Sequence, residues 1–111
     1  MAKLKLKYSC ALLLTMDLLG GKWKLRILWH IINGDNSFSK LQKAIPDITH
    51  KMLITQLREL QESKLLLKNI ISKKPLRIEY MISEEYKDLE QILNELCDFT
   101  KSYAIKNSID V

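Results

Sequence analysis

Apolar side chains recur at helical spacing along most of this chain and switch once to strict alternation. Residues 11–19 form a short apolar run closed by Gly20-Gly21, and glycine can take the left-handed backbone that ends a helix. From Lys24 to Ile32 only Lys24, Arg26 and His30 are polar, so a second helix is predicted there with most of its surface buried. Asn33-Gly34-Asp35-Asn36 is a turn. Ser39 followed by Gln42 has the form of a capping box and predicts a third, short helix from about Ser39 to Ala44. Pro46 and Asp47 interrupt the chain, and Thr49 is a suitable N-cap for a fourth helix reaching about Ser63. Residues 39–63 therefore read as a helix-turn-helix.

In that fourth helix, at about 100° per residue, Leu53, Leu57 and Leu60 share one side while Lys51, Thr55 and Arg58 share the other. One face belongs to a core and the opposite face is polar and basic. Residues 65–82 then predict a hairpin. Its second arm, Arg77 to Ile82, alternates so that Ile78, Tyr80 and Ile82 face inward, and Lys73-Lys74-Pro75 forms a tip in solvent. Ser83 with Glu84 and Glu85 predicts the start of a long final helix continuing to about Lys106. Its apolar stripe includes Leu89, Ile92, Leu93, Leu96, Phe99 and Tyr103, a band too broad for one small domain to cover, which predicts a subunit interface. The fold expected is mainly α with a small β-hairpin wing, a winged helix-turn-helix in a single domain over residues 1–111.

Charge sharpens this picture. Of the formal +5, residues 39–77 carry nine Lys or Arg against three acids, a local net of +6, and the remainder of the chain is close to neutral. Such a concentration suits a polyanion, though a lysine-rich solvated surface has the same composition. Cys10 and Cys97 are too few for a disulfide framework or a zinc site, and two unclustered histidines add no metal site. The lysines of Met1–Tyr8 ahead of the apolar run do not make a secretion signal, because Asp17 breaks the run and no small-residue cleavage site follows. No stretch approaches the roughly 20 residues that span a bilayer, so no membrane is expected and the location read is the cytoplasm. No cofactor is implied. No nucleophile with an adjacent base, paired carboxylates or phosphate loop is evident, and no enzyme is expected.

At the level of residues, Asp17-Leu-Leu-Gly-Gly-Lys-Trp23, Phe38-Ser-Lys-Leu41, Ile45-Pro-Asp-Ile-Thr-His-Lys-Met-Leu53, Leu57-Arg-Glu-Leu60 and Arg77-Ile-Glu-Tyr80 stand in an order and spacing that resembles the HxlR family of bacterial regulators, relatives of the MarR type. The likeness runs from Cys10 to about Tyr103. It implies a homodimer joined through the first and last helices, binding a pseudo-palindromic operator in double-stranded DNA, most often as a repressor. It also implies, for some members, an oxidant or electrophile sensed through an N-terminal cysteine, and Cys10 holds that position. A packing role for Cys10 is the alternative, and Cys97 reads as core or interface. The nearby Lys5, Lys7 and Tyr8 are suited to favouring a thiolate.

DNA-contacting candidates follow in two groups. Thr49, His50, Lys51, Thr55 and Arg58 lie on the recognition helix, where they serve base edges or, alternatively, helix capping and solvation; Arg58 has Glu62 one turn away as another partner. Ser39, Lys40 and Lys43 face the backbone crossing, and Lys73, Lys74 and Arg77 serve the wing, which sets affinity rather than sequence. A winged-helix module that docks to protein rather than DNA is the competing function, and an unidentified small-molecule or redox effector is compatible with either.

Overall fold

The computed structural model describes residues 4–111; the first three residues of the basic N-terminal segment lie outside the described residues. Five helices and one hairpin follow in the order α1 (Ala11–Leu19), α2 (Lys24–Ile32), α3 (Phe38–Ala44), α4 (His50–Glu62), β1 (Leu66–Lys73), β2 (Leu76–Ile82), a 3-10 turn (Glu84–Tyr86) and α5 (Leu89–Lys106). This is the winged helix-turn-helix expected.

The core forms where α2 lies across the helix-turn-helix. Ile27 and Leu28 of α2, Leu41 of α3, Ile45 and Ile48 of the turn, and Leu53, Leu57 and Leu60 of α4 are all buried. The helical spacing of the three α4 leucines aims them together at that core and leaves the opposite face of the helix free. The antiparallel hairpin closes the end of the core with Leu66 opposite Ile82. It is anchored to the loop before α3 by a hydrogen bond from Tyr80 N–H to Asn36 C=O at 2.8 Å. Tyr80 and Ile82 pack on the core as the alternation predicts, and Ile78 is half-buried.

Gly20 and Gly21 end α1 for two separate reasons. A side chain on Gly20 would meet the Met16 carbonyl oxygen, and Gly21 sits at φ +91°, where L side chains are strained.

Three expectations require correction. The cap of α3 is Ser37, whose Oγ accepts from Lys40 N–H at 3.3 Å, and not Ser39, which is exposed within the helix. Gln42 does not reach back to complete a box; its Nε2 donates forward to Ile48 C=O at 2.7 Å, bracing the turn. The last helix does not begin at Ser83. The Ser83 N–H is held by Leu65 C=O at 2.9 Å as the hairpin ends, the next turn closes with i→i+3 bonds, and α-helical bonding starts only at Leu89.

The third correction divides the proposed interface stripe. Leu89 and Leu93 are 8% and 4% exposed and belong to the chain's own core, where the first half of α5 crosses α2. Ile92, Leu96, Phe99 and Tyr103 remain exposed on the same helix, Phe99 at 67%. In α1 no residue is buried, and Leu12, Leu13 and Met16 are exposed apolar side chains.

Candidate nucleic-acid interface

Thr49 caps α4, its Oγ1 accepting from Met52 N–H at 3.0 Å, so the first turn begins sharply after the extended backbone of Thr49. His50 and Lys51 are exposed on that turn. His50 sets its ring edgewise on Phe38 of α3, with centroids 4.8 Å apart, a packing contact that joins the two helices and fixes the orientation of the imidazole. Thr55 is half-buried and its hydroxyl donates to Lys51 C=O at 3.0 Å. Arg58 is exposed, and among the described residues it has no acidic partner, Glu62 included.

The same holds for every other base in the candidate set. Lys40, Lys43, Lys51, Lys73, Lys74 and Arg77 are exposed, and none forms an ion pair among the described residues. The acids of this stretch are instead taken up by bases from α2. Glu59 accepts from Lys24 Nζ at 2.6 Å, and Asp47 receives two hydrogen bonds from the Arg26 guanidinium at 3.1 Å each. Only Glu62 is left without a base, so the positive surface is less compensated than the residue count alone indicates. Sequence reasoning missed these partners because Lys24 and Glu59 are separated by 35 positions. The fork of Arg26 holds the Asp47 carboxyl below its ordinary range, with the turn backbone and Lys22 acting the same way.

A cleft of about 510 Å³ opens between the start of α3 and β2, lined by Asn36–Lys40 on one side and Leu76–Glu79 on the other. It brings Ser39 and Lys40 of the helix-turn-helix, expected at the backbone crossing, together with Arg77, expected to serve the wing. The Lys73-Lys74 pair stands at the hairpin end, where Lys73 pairs with Leu76 across the turn.

Cys10 is exposed at the start of α1 and Cys97 is half-buried on α5; both are free thiols. The Tyr8 hydroxyl donates to Asp17 at 2.7 Å and accepts from the Lys5 N–H at 2.9 Å, so its hydrogen bonds are made with these residues and none with Cys10.

Against known proteins, the family model described as HxlR-like helix-turn-helix matches residues 18–108. The chain belongs to the HxlR-like helix-turn-helix family. It is accordingly a DNA-binding helix-turn-helix regulator of transcription. Among relatives, the HTH-type transcriptional regulator YkvN of Bacillus subtilis is 41% identical over 98 residues, covering 88% of this chain and 83% of the relative. YtcD of the same organism is 40% identical over 93 residues, with 84% and 74% covered. The solved structure of the redox regulator HypR in its reduced form superposes with a TM-score of 0.79 at 30% identity, over 89% of this chain and 99% of that one. This HxlR-like chain has five α-helices and one hairpin among the described residues, and no helix of the described residues is long and apolar enough to cross a membrane.

Proposed function

We propose that this HxlR-like protein acts in the cytoplasm as a homodimeric repressor that sets two α4 helices into successive major grooves of a pseudo-palindromic operator. The observation that carries the reading is the set of exposed bases on α3, α4 and the hairpin that lack acidic partners among the described residues. Lys51 and Arg58, with Thr49 and His50, meet the groove. Ser39, Lys40, Lys43 and Arg77 take the phosphates along the α3 cleft, and Lys73 and Lys74 take those under the wing.

The dimer is supported by exposed apolar surface on both terminal helices. Leu12, Leu13 and Met16 of α1 and Ile92, Leu96, Phe99 and Tyr103 of α5 are exposed apolar side chains, and apolar surface of this kind marks an interaction site. A nine-residue helix with no buried side chain also has little to hold it in isolation. The exposed Cys10 at the N-cap of α1, together with the similarity to a protein named as a redox regulator, supports an oxidant as effector.

Fluorescence anisotropy with the chain's own upstream intergenic DNA and a scrambled duplex, at two salt concentrations, tests the reading. Tight binding to the first probe that a mild oxidant alters is expected. Equal, salt-erased binding to both probes contradicts a nearby operator and favours a module that docks to protein.

A further inference from the structure

Ile54 is an apolar side chain on a part of α4 otherwise given to polar residues. It is 43% exposed and is not one of the partly buried apolar groups that pack on the core. His50, Ile54 and Arg58 are each four residues apart, so they stack one turn above another along one side of the helix. A β-branched residue gains nothing there from helix propensity, and its exposed surface is unfavourable in water. A duplex changes that balance, because the edges of the major groove present one apolar group, the C5 methyl of thymine. The neighbouring Thr55 commits its hydroxyl proton to Lys51 C=O, which leaves its methyl and an acceptor lone pair for any partner.

We infer that Ile54 is a specificity-determining residue that reads thymine in the operator through its C5 methyl, with the Thr55 methyl beside it. The inference rests on the reading of α4 as the groove-entering helix, and it assigns base discrimination to a position that carries no hydrogen-bonding group. Lys51 and Arg58 on either side supply attraction to the DNA, and Ile54 separates thymine from cytosine and from uracil.

The test uses the duplex best bound by the wild-type protein, with thymines replaced one at a time by deoxyuridine, which keeps every hydrogen-bonding edge and removes only the methyl. For wild type, substitution at one position of each half-site is expected to weaken binding about fourfold per methyl removed. Ile54→Ala binds the thymine and uracil duplexes alike, and Ile54→Val, which keeps two methyl groups, retains the discrimination. Equal binding of both duplexes by wild type at every position overturns the inference while leaving DNA binding intact. So does an unchanged uracil penalty in Ile54→Ala. Failure of wild type to bind any duplex overturns both this inference and the reading beneath it.

Discussion

Lys24 of α2 and Glu59 of α4 meet at 2.6 Å with side chains only 10% and 9% exposed, so α4 is fastened to α2 by a nearly buried ion pair. Burying two charges is costly, and their attraction offsets that cost only while both are present. Glu59→Leu alone leaves an ammonium in the core and is expected to destabilise the fold by about 3–5 kcal/mol. Lys24→Met/Glu59→Leu together should recover most of that loss. Urea unfolding of Glu59→Leu, Lys24→Met and the double variant checks it, and a double variant as unstable as the sum of the two singles would show that the pair does not act as a unit.

The second link between α2 and the helix-turn-helix gives a pH prediction. Because Arg26 lowers the Asp47 pKa in the folded protein, the contribution of this pair is present above the unfolded value near 3.8 and is lost as pH falls through the lowered value. Arg26→Gln should move the Asp47 carboxyl titration upward toward 3.8, read by carbon NMR of the side chain. A titration that stays in place would remove Arg26 as the cause. Both groups are substantially exposed, so the effect on overall stability is expected to be small.

Bases on the wing and on α4 should fail differently. Lys73→Ala/Lys74→Ala is expected to weaken binding to all sequences alike and to reduce the salt slope by about 2. Arg58→Ala is expected to cost about 1–3 kcal/mol on the preferred duplex and little on others. Anisotropy titrations across salt concentrations distinguish the two, and a uniform loss for Arg58→Ala would make that residue a phosphate contact.

Phe99 is the more exposed of the two aromatic side chains on α5, at 67% against 54% for Tyr103. Phe99→Asp is expected to give a folded monomer by sedimentation analysis, with operator affinity reduced at least tenfold because each half-site is then held alone. A variant that remains dimeric with full affinity would move the interface elsewhere.

The fold was legible because its signals are local. The Gly20-Gly21 stop, the Thr49 cap, the three α4 leucines and the alternation from Arg77 to Ile82 each depend on a few neighbouring residues, and each appears where expected. Ser39 misled for the same reason: the Ser39/Gln42 spacing suits a capping box, while the real cap is set by where the turn before Phe38 extends. The α5 stripe has one periodicity whether it is covered by the chain's own core or by a second copy, so sequence could not separate Leu89 and Leu93 from Leu96 and Phe99. For the site, the basic residues were visible but the neutralisation of Asp47 and Glu59 by α2 was not, since those pairs exist only after the chain folds.

The most direct test of the central claim is selection of duplexes from a randomised library by the wild-type protein, followed by hydroxyl-radical footprinting on the winner. Two related half-sites in inverted orientation are predicted, their centres about one helical turn, roughly 34 Å, apart, with two matching protected tracts. Enrichment of no sequence, or of a single unpaired motif with one protected tract, would contradict a dimer that reads DNA through two copies of α4.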